Sequence, residues 1–180
     1  LKGINLEKIR IDFQEYTSSF PNEWEKYTSN QQVQGSFHGI EKNNIPNYYN
    51  TVFAKGNTAK KQIRDAFNKG MKIKSNIQFH FEINSNFFLE IAKLKAFRIL
   101  WERKTGKTPY IFATTPLNNK KEVHTYNNIF HTTTECMSAI FGGANAIMIR
   151  SYNISKETIE FSERIARNQQ IILKKESYLD

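Results

Sequence analysis

The 180 residues are 39% hydrophobic and 13% aromatic, enough to bury a core and to exclude wholesale disorder, and the length suits one domain over 1–180. No apolar run approaches the ~20 residues a membrane-spanning helix requires, and no basic-then-apolar leader opens the chain, whose start at Leu1 suggests a fragment. A net charge of +9 raises nucleic acid as a partner, but Lys60-Lys61, Lys72 with Lys74, Lys120-Lys121 and Lys174-Lys175 are scattered pairs, not one stripe. A solvated basic surface is the better account, with acidic ligands next.

Ile9 to Phe13 alternates apolar and polar residues and reads as a first strand. Asn22 can cap a short helix over Glu23–Tyr27. Gln34 to Gly39 is strand-like but punctuated by glycine, and the Asn, Pro and Tyr run from Glu41 to Asn50 reads as loop. After a brief strand at Val52–Ala54, Asn57 or Thr58 caps a helix whose buried face holds Ile63, Ala66 and Phe67 and which ends at Gly70.

Ile77–Ile83 is the clearest strand, with Ile77, Phe79, Phe81 and Ile83 on one side and Gln78, His80 and Glu82 on the other. Strands buried on both faces usually read as continuous apolar runs. This one is therefore expected either to be a half-exposed edge or to turn its polar face into a lumen. A helix follows, with Asn84, Ser85 and Asn86 offering caps, Gly106 as its stop, and Phe87, Ile91, Leu94, Phe97 and Trp101 as its stripe. Arg98 and Glu102 are spaced to pair weakly across one turn.

Tyr110–Ala113 is a further strand, Thr114–Glu122 a polar loop, Tyr126–Phe141 a helix stopped by Gly142-Gly143, and Ala146–Ile149 another strand. Ser155 is placed to cap a last helix, with Ile159, Ile165, Ile171 and Ile172 apolar and Glu163, Arg164 and Arg167 solvated. The alternation of strand and helix predicts a parallel α/β fold, and five or six strands fall short of the eight that close a TIM barrel.

The chain has a single cysteine, Cys136, which excludes an internal disulfide and a cysteine zinc site, fits a reducing cytoplasm, and reads as a small buried hydrophobe. The histidines His38, His80, His124 and His131 form no H-x-x-x-H or H-E-x-x-H pair, and no G-x-S-x-G, Walker or G-x-G-x-x-G motif is present. In a parallel α/β protein, ligands bind where strands end. That rule gathers Asn84, Ser85, Asn86, Thr114, Thr115, Arg150 and Ser151 on one rim, which is suited to binding but has no acid–base pair.

Three blocks carry a resemblance: the strand with N-S-N-F-F-L-E-I-A-K-L-K-A-F-R-I-L-W, then H-T-T-T-E-C-M-S-A-I-F-G-G-A-N-A-I from His131, then F-S-E-R-I-A-R-N-Q-Q-I-I-L-K-K-E-S-Y-L-D from Phe161. In order and spacing they resemble the adenosylcobalamin-dependent methylmalonyl-CoA mutase family, and Gly56–Ile63 is a weaker match. The resemblance implies a (β/α) TIM-barrel domain, here a partial barrel. In active members coenzyme A threads the barrel and adenosylcobalamin caps one end for a radical rearrangement.

The resemblance also implies losses. Asn50 and Thr51 stand where the family's catalytic Tyr and His belong, and Tyr110–Thr114 replaces R-T-H-S-Q. Met148-Ile149-Arg150 replaces H-T-N, and D-x-H-x-x-G is absent. T-T-T-E followed by G-G-A is similar to the family's small, non-catalytic subunit. The expectation is a structural component that binds no cofactor itself, with adenosylcobalamin held through a large catalytic subunit in a heterodimer, or with self-association closing the barrel. The alternatives are an acyl-CoA-binding mutase domain working with a separate cobalamin domain and, behind it, a basic nucleic-acid-binding module.

Overall fold

The computed structural model describes residues 10–13, 34–37, 48–74, 76–153 and 158–179. The elements run β1 (Arg10–Phe13), β2 (Gln34–Phe37), β3 (Tyr48–Phe53), α1 (Ala59–Gly70), β4 (Ile77–Glu82), α2 (Phe87–Thr105), β5 (Tyr110–Thr114), α3 (Asn127–Phe141), β6 (Ala146–Met148) and α4 (Ile159–Lys175). The short helix expected at Glu23–Tyr27 and the cap expected at Ser155 lie outside the described residues.

All neighbouring strands pair in parallel, in the order β1-β2-β3-β4-β5-β6. Parallel neighbours need crossover connections, and a sheet that never reverses its order is wound one way, as in a TIM barrel. Here it stays open, because no pairing joins β1 to β6 among the described residues. The fold is thus α/β of (β/α) barrel type, as a partial barrel.

The convex face carries the core. Phe79 and Phe81 of β4 and Ile111 and Ala113 of β5 are buried against Leu94, Phe97 and Trp101 of α2. Phe79 meets Phe97 and Trp101 with ring centroids 4.7 and 4.6 Å apart. Space is tight where α1 ends: a Cβ on Gly70 would stand 2.7 Å from Phe79 and 2.9 Å from Trp101. Only glycine lets the helix approach that closely.

Caps fix the helix ends as the sequence indicates. The Thr58 side chain accepts the Lys61 N–H at the start of α1, and Asn86 accepts that of Leu89 at the start of α2. Gly106 closes α2 in the left-handed region at φ 69°.

Several expectations are corrected. Tyr48–Asn50 is strand and not loop, because pairing with β2 and β4 supplies bonds that local propensity does not. β4 is central, not an edge, and Gln78 and His80 are buried. α2 is not simply amphipathic: Glu90 and Lys93 are buried in its core face, while Phe88, Leu89, Ile99 and Leu100 are exposed. Arg98 bonds Gly143 and Asn145 across the α2–α3 contact, where pairing with Glu102 was expected. On α4 the buried residues are Ser162, Ala166, Gln169 and Leu173, while Ile159, Ile171 and Ile172 are exposed. Gln169 faces α3 because its amide bonds Thr132 and Thr133 at 3.0 and 2.6 Å, so complementarity outweighs apolarity there.

Candidate functional site

Parallel strands bring every strand's C-terminal end to one side of the sheet, and the rim forms there. Asn84, Ser85 and Asn86 follow β4, Thr114 and Thr115 end β5, and Arg150 and Ser151 follow β6. Most of these groups are engaged within the protein. Asn86 caps α2. Thr114 shares a 2.8 Å hydrogen bond with His80 Nε2, and the Thr115 hydroxyl accepts the Arg150 N–H at 2.9 Å. Ser85 donates to Glu135 at 3.1 Å. Asn84 is exposed, Ser151 is half-buried, and the Arg150 guanidinium lies 3.9 Å from Glu82.

Two buried charge clusters support the rim, and neither was anticipated from the sequence. In the first, Lys93 pairs with Glu90 one turn earlier and donates to Gln62 Oε1 at 2.8 Å and to the Glu82 carbonyl at 2.9 Å. It thereby ties α1, α2 and the end of β4 together. Burial pulls the Lys93 ammonium below its ordinary pKa, and the Glu90 carboxylate opposes that shift. The signal was present: Glu90, Lys93, Leu94, Phe97 and Trp101 recur at helical spacing, so the charged pair belongs to the buried stripe.

In the second cluster, Glu135 of α3 accepts from Asn119 at 2.6 Å and from Ser85, and it pairs with Lys120 at 3.3 Å. Burial pulls the Lys120 ammonium down, against the attraction of Glu135. This cluster fastens the β5–α3 loop over the end of β4. No local pattern could have revealed it, because Ser85 and Glu135 are 50 residues apart.

The concave face is filled by side chains. Gln78 donates to Ser36 at 3.1 Å. Beside it, the Phe53, His80 and Phe112 rings line up across β3, β4 and β5, with centroids 4.8 and 5.1 Å apart. The positions that resemble the family's catalytic ones, Thr51, Tyr110, Phe112 and Thr114, occupy this face in register with Gln78, His80 and Glu82. Cys136 is buried with Ile149, Ala166 and Leu173, and its thiol is pushed up to about 12 by burial.

A groove of about 460 Å³ opens where β6 meets α4, lined in part by Leu117, Arg150, Ser151, Glu163 and Arg167. Two guanidinium groups, those of Arg150 and Arg167, border this groove. Of the described histidines, His80 lies below the rim in a hydrogen bond with Thr114, and His124 and His131 are exposed. Among the described residues no cluster of three His, Cys, Asp or Glu side chains is placed to hold a metal ion.

An open, singly wound parallel sheet with its helices on one face and its polar rim at the strand ends defines a barrel-type α/β domain. The profile of methylmalonyl-CoA mutase matches residues 54–180. The chain belongs to the methylmalonyl-CoA mutase family. It is 39% identical over 130 residues to the methylmalonyl-CoA mutase small subunit of Porphyromonas gingivalis, covering 66% of this chain and 21% of that protein. It is 36% identical over 128 residues to the methylmalonyl-CoA mutase of Rhizobium meliloti, covering 64% of this chain and 18% of the relative. The match to the mitochondrial mutase of Homo sapiens is 35% over 113 residues, 56% of this chain and 15% of that one. The chain thus spans about a fifth or less of the length of these relatives.

Proposed function

We propose that this chain is a small-subunit-like, non-catalytic component of a methylmalonyl-CoA mutase, with residues 1–180 forming one α/β unit of the barrel domain in the cytoplasm. The observation that carries the reading is the filled concave face. Where an acyl-CoA mutase needs an open lumen for the thioester arm, the tilted rings of Phe53, His80 and Phe112 lie side by side and Gln78 is bonded to Ser36. Thr51, Phe112 and Thr114 offer neither the acid–base pair nor the charged groups of the family's catalytic pattern. The chain's contribution is then mechanical: it presents a rigid half-barrel to a large catalytic subunit that holds the adenosylcobalamin. That cofactor supplies the radical chemistry when bound to the large subunit, and this chain's residues take no step in it.

Reconstitution tests the reading. Mixed with a large mutase subunit, the chain is expected to co-elute with it, and turnover is expected to be unchanged by Thr51→Ala or Phe112→Leu on this chain. Turnover by the chain with only a cobalamin domain added, abolished by Thr51→Ala, overturns it. The groove bordered by Arg150 and Arg167 favours a second reading, an acyl-CoA-binding mutase domain that works with a separate cobalamin domain, because two guanidiniums suit coenzyme A phosphates. Arg150→Met weakening the binding of a coenzyme A thioester distinguishes it.

A further inference from the structure

The outer surface of α2 carries an apolar stripe along its first three turns. Phe88, Ala92, Ala96 and Ile99 recur on the side away from the sheet, flanked by Leu89 and Leu100, and all are exposed, Phe88 by 80% and Ile99 by 50%. The stripe from Phe88 to Ile99 is about 16 Å long, three helical turns. Its relief is uneven, with large side chains at both ends and two alanines hollowing the middle.

The patch continues sideways. The Phe87 ring touches Phe88 and Phe141, with centroids 5.4 and 6.1 Å away, and Phe141 shares the outward face of α3 with Thr134 and Phe130, the latter 73% exposed. An apolar surface that spans two packed helices is larger than the scattered single residues normal on a soluble protein.

Charge decides what covers it. The cations of this surface face outward: Lys95 lies within the stripe, and Arg103 and Lys104 stand at its C-terminal end. The carboxylates are turned away. Glu90 is buried with Lys93, Glu135 is buried with Lys120, and Glu102 is half-buried on the Arg98 flank. A second copy laid on the same face would bring lysines and arginines together. A bilayer would meet large residues along the whole line, whereas the alanine hollow accepts the ridge of a crossing helix.

We propose that the outer face of α2, continued onto α3, docks an amphipathic α-helix of another polypeptide, whose apolar stripe is flanked by Asp and Glu side chains. The proposal stands on α2 and α3 alone and does not depend on the mutase reading.

The probe is a fluorescein-labelled amphipathic peptide of about 18 residues, with leucines on one face and glutamates on its flanks, compared with the same peptide carrying lysines in place of glutamates. Against the full chain, fluorescence anisotropy is expected to give saturable binding of the glutamate peptide and at least ~10-fold weaker binding of the lysine peptide. Lys95→Glu reverses that preference. Ala96→Trp fills the hollow and weakens binding by about 10-fold although it adds apolar surface, with the far-UV circular dichroism and melting curve unchanged. Equal binding of the two peptides overturns the proposal, as does tighter binding on Ala96→Trp. A homodimer dissolved by Ile99→Ser, or co-flotation with phosphatidylserine vesicles that Ile99→Ser abolishes, overturns it in favour of a second copy or a membrane.

Discussion

Removing the ammonium of Lys93 tests how the β4 rim is held. In Lys93→Met the aliphatic stem is kept and the charge is lost. Glu90 is then left as a buried, uncompensated carboxylate, Gln62 Oε1 and the Glu82 carbonyl lose their donor, and the contact 5.7 Å from the Phe81 ring goes with them. Breaking one side of a buried ion pair costs about 3–5 kcal/mol, because the surviving charge pays its desolvation without return. For a domain of this size that corresponds to a melting temperature lower by roughly 6–20 °C. The double replacement Glu90→Leu with Lys93→Met removes both charges, and it is expected to recover most of the loss, since an apolar pair of similar volume is often neutral. Urea unfolding followed by tryptophan fluorescence measures all four corners of the cycle. A single-variant cost under ~1 kcal/mol, or a double variant no better than Lys93→Met, refutes the reasoning, because the pair would then be exchanging with water.

Gly70→Ala is expected to destabilise by about 1–3 kcal/mol by overpacking Phe79 and Trp101, and near-ultraviolet circular dichroism should report the displaced indole. Cys136, with its thiol pushed up to about 12, is expected to be inert to a thiol-specific disulfide reagent at pH 8 in the folded chain and to react fully in denaturant. Burial raises the pKa of the Asp65 carboxyl, but hydrogen bonds from Lys69 and the Lys55 N–H outweigh it and leave a net lowering. A lowered carboxylate stabilises the fold above its unfolded pKa of 3.8, and this is lost as pH falls through the folded value. The group is partly solvated, so Asp65→Asn should remove no more than ~1 kcal/mol at pH 7 and flatten the acid limb of the stability profile.

The α/β alternation, the caps at Thr58, Asn86 and Gly106, and the strands β4, β5 and β6 were legible because each rests on local spacing. The placement of the rim residues at the strand ends followed from parallel topology alone. What they do there did not. Thr115 meets Arg150 across 35 residues, and Ser85 meets Glu135 across 50, so long-range partners decide whether a polar group is available to a ligand. The polar face of β4 was ambiguous for the same reason. Gln78 and His80 read equally as an exposed edge or as facing a lumen, and Ser36 and Thr114, on other strands, decide it by completing their bonds. The exposed isoleucines of α4 misled in the other direction. Apolarity predicted burial, but the groove beside β6 leaves Ile159 uncovered while Ala166 and Gln169 pack inward.

Titration of the chain with methylmalonyl-CoA by isothermal calorimetry tests the central claim most directly. If Phe53, His80 and Phe112 fill the concave face as built, no saturable heat is released up to millimolar ligand. A micromolar isotherm, with succinyl-CoA formed once adenosylcobalamin is added, contradicts the account.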